Sequence, residues 1–98
     1  METRENVLQN LKKIKSIIVN LGVDKVGLFG SYLRNEQTEK SDIDILIDFD
    51  PKKETFDNFL AVYDVIEEIF EGQKVEIVTK NGLSPYIGPK ILNEVEYV

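Results

Sequence analysis

Residues 41–49 read Ser-Asp-Ile-Asp-Ile-Leu-Ile-Asp-Phe. Side chains on a strand alternate between its two faces. A strand over Asp42–Phe49 therefore sends Ile43, Ile45 and Ile47 to one side and Asp42, Asp44, Leu46 and Asp48 to the other. The isoleucines belong in a core, and two carboxylates two residues apart project in parallel from the opposite face. Asp50-Pro51 ends the strand.

Upstream, Lys25–Phe29 is a short apolar run that predicts another strand, and Gly30-Ser31 turns the chain at its end. Tyr32–Glu36 begins a short helix, and Glu36–Ser41 is a polar loop. Earlier still, Val7, Leu8, Leu11, Ile14, Ile17, Ile18 and Leu21 recur at helical spacing, which predicts an amphipathic helix over residues 5–21 closed by Gly22.

Downstream, a second amphipathic helix is expected over Thr55–Glu71. Phe56, Phe59, Leu60, Tyr63, Ile66, Ile69 and Phe70 form its apolar stripe, and Gly72 caps it. Tyr63 is expected in the core. Lys74–Thr79 is a third strand, with Val75 and Ile77 on one face and Glu76 and Val78 on the other. After an Asn81-Gly82 turn, Ser84-Pro85 reads as a cap and a first-turn proline. The helix it opens would run to about Asn93 with Ile87, Ile91 and Leu92 inward, and Glu94–Val98 would add an extended piece.

The order α-β-β-α-β-α predicts an α+β fold, a small mixed sheet flanked by helices. The second strand, long helix and third strand form a βαβ crossover, hence parallel and right-handed. Ninety-eight residues, 42% of them hydrophobic, fit one compact domain over residues 1–98. No apolar stretch is long enough to span a bilayer, and Met1–Glu5 leads into charged sequence. A cytoplasmic protein is expected.

Cysteine and histidine are both absent. That removes disulfides, thiol nucleophiles, thiolate or imidazole zinc sites and every triad that needs a histidine base. Carboxylates, hydroxyls, lysines, arginines and tyrosines remain, and hard oxygen donors favour Mg²⁺, Mn²⁺ or Ca²⁺. A net charge of -6 disfavours simple electrostatic binding to nucleic acid. Bound metal ions can still invert the field locally and admit a polyphosphate.

One constellation uses what is left. Asp42 and Asp44 share a strand face, Glu76 lies on another strand, and Gly30-Ser31 stands beside them. Two divalent ions can clamp the attacking and leaving oxygens of a phosphoryl centre, and bridging carboxylates hold such ions. Gly30 lets the backbone approach a phosphate closely, and Ser31 offers a hydroxyl and an N–H. The expected ligand is a magnesium-bound nucleoside triphosphate.

Gly30-Ser31, a ten-residue spacer and Asp42-Ile43-Asp44 resemble the Gly-Ser…Asp-x-Asp signature of the DNA polymerase β-like nucleotidyltransferases. Gly-Ser-Tyr-Leu-Arg, Ser-Asp-Ile-Asp-Ile-Leu-Ile-Asp-Phe and Val-Glu-Ile-Val-Thr followed by Leu-Ser-Pro are similar, in order, to its minimal branch, the antitoxin partners of HEPN-domain toxins. The resemblance covers roughly residues 5–95.

The resemblance implies a polymerase β-type nucleotidyltransferase fold, with Asp42, Asp44 and Glu76 as catalytic metal ligands. Gly30 and Ser31 would hold the triphosphate, and Arg34 would meet a phosphate or support the site. Two Mg²⁺ ions and ATP are implied, with transfer of AMP to a tyrosine hydroxyl of a HEPN toxin in a hetero-oligomer. Glu76 stands where the family often has Asp, and Leu33 where a small residue is common. The chain shows no second domain that would present an acceptor, which points to a partner protein. Two alternatives stay open: neutralisation of the partner by binding alone, and nucleotidylation of a small-molecule hydroxyl.

Overall fold

The computed structural model describes residues 2–98; Met1, the first residue of the charged N-terminal stretch, lies outside them. The first helix, α1, spans Arg4–Ile18. Thr3 caps it, its hydroxyl accepting from the Asn6 N–H at 3.1 Å. Val7, Leu11, Ile14 and Ile18 follow one another at intervals of four, three and four residues and are fully buried, whereas Ile17 is exposed. One 3-10 turn, Val19–Leu21, ends the helical stretch, and Gly22 closes it at φ +89°. The predicted helix is thus an α-helix with a tightened last turn.

The strands are β1 (Val23–Phe29), β2 (Ile43–Phe49), β3 (Val75–Thr79) and β4 (Glu96–Tyr97), in the spatial order β3-β2-β1-β4. β1 begins two residues before the predicted start, and β2 one residue after it. β1 runs antiparallel to β2, with an irregularity between Val23 and Lys25. β2 and β3 are parallel, as a long crossover requires. That crossover is α3 (Phe56–Ile69), capped by the Thr55 hydroxyl, which accepts from the Asn58 N–H. A single helical turn, α2 (Gly30–Leu33), follows β1 directly.

The core lies on one face of the sheet. Val26 and Leu28 of β1 and Ile43, Ile45, Ile47 and Phe49 of β2 pack there against the buried stripe of α1 and against Val62, Ile66 and Phe70. Tyr32 of α2 joins this cluster, and Leu33 packs against its edge. Burial pushes the Tyr32 phenol above its usual pKa, with the Glu2 charge adding to the effect.

The stripe of α3 is only half used. Phe56, Leu60 and Tyr63 are exposed, Phe56 by 74%, which corrects the expectation that Tyr63 is core. Periodicity marks an apolar stripe, but its width exceeds what the sheet and α1 can cover. Tyr63 instead lies beside Phe59, ring centroids 6.5 Å apart.

The C-terminal segment departs most from the sequence reading. Helix α4 spans Gly88–Glu94, four residues after Ser84. Ser84 does cap, but it caps a turn: its hydroxyl accepts from the N–H groups of Tyr86 and Ile87 at 3.2 and 3.1 Å. Pro89 then occupies the first turn of α4. Ile91 is buried, whereas Ile87 and Leu92 are exposed, because one side of so short a helix reaches the sheet. The extended piece is β4, a fourth strand added antiparallel to β1.

α4 packs on the sheet face opposite the main core. Ile91 meets Phe29 and Leu46 there, with Val78, Leu83 and Val95 around them. Leu46 lies on the strand face that carries Asp44, so its full burial shows α4 covering one end of that face and leaving the carboxylate end beside it. Among the described residues, no helix is long and apolar enough to cross a membrane.

Candidate active site

Backbone pairing assembles the site. Asp44 is opposite Glu76 in the parallel β2–β3 ladder and opposite Phe29 in the antiparallel β1–β2 ladder. The residue after Phe29 is Gly30. Thus the Asp44 row carries Glu76 to one side and the β1–α2 junction to the other. Three segments distant in sequence meet there because of strand register.

The Asp44 carboxyl is pushed up to about 7. Desolvation is the largest cause; next come the Glu76 charge, a hydrogen bond with the Glu76 carboxyl and the Asp42 charge, against a smaller opposing pull from Arg34. A carboxyl packed beside other carboxylates gives up its proton less readily. Asp42, the residue before β2, is half-buried and contributes its charge to the pair.

Gly30 is required at its position on two grounds. Its φ is +79°, and a Cβ there would lie 2.0 Å from Asp44 Oδ2. The backbone therefore abuts the carboxylate. The Gly30 N–H donates to Glu94 Oε1 at 2.7 Å. Arg34, at the end of α2, donates through Nη1 to both oxygens of Glu94 at 3.0 Å and through Nε to Glu36 Oε1 at 2.7 Å. Ser31 is half-buried in α2 next to Gly30.

A cavity of about 150 Å³ opens at this junction, lined by Phe29, Gly30, Arg34, Ile87, Lys90, Ile91 and Glu94. A larger hollow, about 610 Å³, is bounded by Glu2, Tyr32, Glu39, Ser41, Gly72, Gln73 and Lys74. No candidate residue lines the larger one, so size does not mark the chemistry here.

Asp42, Asp44, Glu76, Gly30, Ser31 and Arg34 thus gather around the β1–α2 junction and the N-terminal ends of β2 and β3. The other acids of the run are local: Asp48 lies 3.8 Å from Lys80, and Asp50 Oδ1 accepts from the Lys52 N–H in the turn after β2.

Glu94 was not legible as a site residue. It is one acid in an acidic C-terminal stretch, and only the docking of α4 brings it to Gly30. A reader of the sequence had Arg34 as a signal that a carboxylate partner was needed, with nothing to say which.

The donor set suits a divalent cation. Carboxylates are hard ligands, and a cation would satisfy the negative charge that the strand register brings together at Asp44 and Glu76. Among the described residues, no three acidic side chains already converge as a closed cage. Asp44 and Glu76 are the two that meet.

The chain is similar to known proteins. A family model described as a nucleotidyltransferase domain matches residues 11–98. A Methanocaldococcus jannaschii protein with the provisional name of protein adenylyltransferase is 40% identical over 89 residues, 91% of this chain and 94% of that protein. The protein adenylyltransferase MntA of Thermococcus cleftensis is 36% identical over 98 residues, 100% of this chain and 95% of its own.

Among solved structures, one described provisionally as a minimal nucleotidyltransferase superposes with a TM-score of 0.82 at 27% identity, covering 97% of this chain and 95% of that one. A toxin–antitoxin crystal structure with AMP-PNP shares the fold at a TM-score of 0.64 and 17% identity, over 91% of this chain and 69% of that one. On the match over residues 11–98 and the identity to full-length relatives, the chain belongs to the nucleotidyltransferase domain family and has the fold of a minimal nucleotidyltransferase.

Proposed function

We propose that this protein is a Mg²⁺-dependent adenylyltransferase that moves AMP from ATP to a tyrosine hydroxyl of a partner HEPN toxin, and so acts as its antitoxin. The observation that carries the reading is the Asp44–Glu76 pair, in register on neighbouring strands with the Gly30 backbone against Asp44. The names of the relatives support protein adenylylation, and the toxin–antitoxin structure with an ATP analogue supports a toxin partner.

In this reading Asp42, Asp44 and Glu76 hold the metal, which supplies charge neutralisation of the triphosphate and of the oxygens that gain charge at the α-phosphorus. The Gly30 N–H, Ser31 and Arg34 hold phosphate oxygens. The acceptor hydroxyl oxygen forms a bond to the α-phosphorus, the bond from that phosphorus to the bridging β-oxygen breaks, and pyrophosphate leaves. The hydroxyl proton passes to the Glu76 carboxylate. The sheet face beside Asp44 is covered at one end by α4, which leaves approach open to an acceptor carried on another protein.

The test is intact-mass analysis of the partner protein after incubation with this chain, Mg²⁺ and ATP. One or more AMP additions, absent with Asp42→Asn/Asp44→Asn, are expected. A stable complex that gains no mass with any nucleotide would replace this reading with neutralisation by binding alone.

A further inference from the structure

The Glu94 carboxylate is bound the way a phosphate oxygen would be. Its Oε1 accepts from a backbone N–H, that of Gly30 at 2.7 Å, and its two oxygens accept from the Arg34 guanidinium at 3.0 Å. A main-chain amide combined with a charge-assisted guanidinium contact is the recurring chemistry of phosphate recognition. The seat also adjoins the carboxylates, since Gly30 abuts Asp44.

We propose that Glu94 is an internal stand-in for a phosphate: it holds the anion seat formed by Gly30 and Arg34, and the triphosphate must displace it to bind. This deepens the nucleotidyltransferase reading and rests on it.

Three features distinguish a displaceable occupant from a strut. First, Arg34 has a second carboxylate contact. Its Nε donates to Glu36 Oε1 at 2.7 Å, which keeps the guanidinium near the seat when Glu94 leaves. Second, Glu94 is the last residue of α4, a helix of seven residues with only Gly88 and Ile91 buried, preceded by exposed residues 84–87 and followed by Val95, half-buried, and a two-residue strand. Short elements open at lower cost than the core strands. Third, the cavity at the seat is lined by Lys90 as well as Arg34. With the carboxylate swung out, two cations and an amide face the space.

The prediction concerns binding before chemistry. Were the seat closed about nine-tenths of the time, apparent affinity would be weaker by about tenfold, and removing the occupant would restore that factor. Calorimetric titration of inorganic tripolyphosphate and of Mg²⁺-ATP into the wild type and Glu94→Gln is expected to show binding tighter by about tenfold in the variant. A strut predicts the opposite sign, since its loss would leave the site less ordered. Unchanged or weaker binding in Glu94→Gln, with ATP still bound normally by the wild type, overturns the proposal and leaves the nucleotidyltransferase reading standing. Binding to neither protein overturns both.

A second readout needs no variant. The Gly30 amide resonance of the wild-type protein should move when tripolyphosphate is added, as its acceptor changes from carboxylate to phosphate. Tripolyphosphate that binds without moving that resonance overturns the proposal.

Discussion

Gly30 and Asp44 are in such close approach that the α-carbon of one and the carboxylate of the other exclude any side chain between them: a Cβ on Gly30 would stand 2.0 Å from Asp44 Oδ2. This contact joins the end of β1 to the second residue of β2, and it is where the anion seat meets the carboxylates. Disturbing either partner should therefore register in stability and in activity together.

Gly30→Ala is expected to destabilise the fold by about 1–3 kcal/mol, from the positive φ and the overlap with Asp44. Urea denaturation of the single variant and of Gly30→Ala in an Asp44→Ala background separates the two causes. The overlap is relieved in the double variant and the backbone strain is not, so part of the loss should return. Full additivity of the two substitutions would show that the approach is not tight.

Asp44→Asn should abolish AMP transfer to the partner, with a loss of at least about a hundredfold, the scale of removing a group that stabilises transition-state charge. Wild-type activity in that variant, read by nucleotide-labelled partner on a gel, would remove Asp44 from the proposed site.

The pH dependence of stability carries a definite sign. The Asp44 carboxyl titrates at about 7 in the folded chain against an ordinary value of 3.8. The native state thus holds a proton that the unfolded chain has already released. In EDTA, the contribution is fully present below about pH 4, declines as pH rises towards 7 and is gone above it. Thermal unfolding across that range should show the decline, and Asp44→Asn should flatten it. Mg²⁺ competes with the same proton, so its apparent affinity should rise as pH increases through about 7.

Arg34→Lys keeps the charge and loses the fork that grips Glu94 and Glu36 at once. Calorimetry should show ATP bound more weakly by about tenfold, the scale of one charge-assisted hydrogen bond. Equal affinity would place Arg34 outside the nucleotide site.

The two ends of α3 should respond unequally. Phe70→Ala, at the residue that closes the helix, removes a buried ring and should cost about 3–5 kcal/mol. Phe56→Ser alters an exposed residue and should change stability by less than about 0.5 kcal/mol. Both are measured by urea titration.

How much of this was legible in the sequence follows from the range of the interactions involved. The period-two pattern of Ile43, Ile45 and Ile47 is local, and it gave the face on which Asp44 stands. The parallel pairing of β2 and β3 followed from the length of the crossover between them. The exposure of Phe56 and Tyr63 was not readable, because periodicity locates an apolar stripe and says nothing of how wide the covering surface is. The start of α4 was misplaced for a related reason. Ser84 caps the residues after it whether they form a turn or a helix. β4 falls within the extended piece expected over Glu94–Val98, but its two residues carry no pattern that says which strand they join; Glu94 reaches Gly30 across 64 positions of chain through the docking of α4 alone.

The register of β2 against β3 also has a mechanical meaning. Because Asp44 and Glu76 are opposite one another across a hydrogen-bonded ladder, the distance between their backbones is the strand spacing, about 4.8 Å. The sheet acts as a ruler. Side-chain rotation can trim the gap between the carboxylates, but widening it requires tearing the rungs between the two strands. Amide exchange in β3, the edge strand, would then be a direct gauge of the site: at the β3 amides that bond to β2, deuterium should enter under the same denaturant concentrations at which catalysis fails, and no sooner, while the outward-pointing amides of that strand exchange throughout.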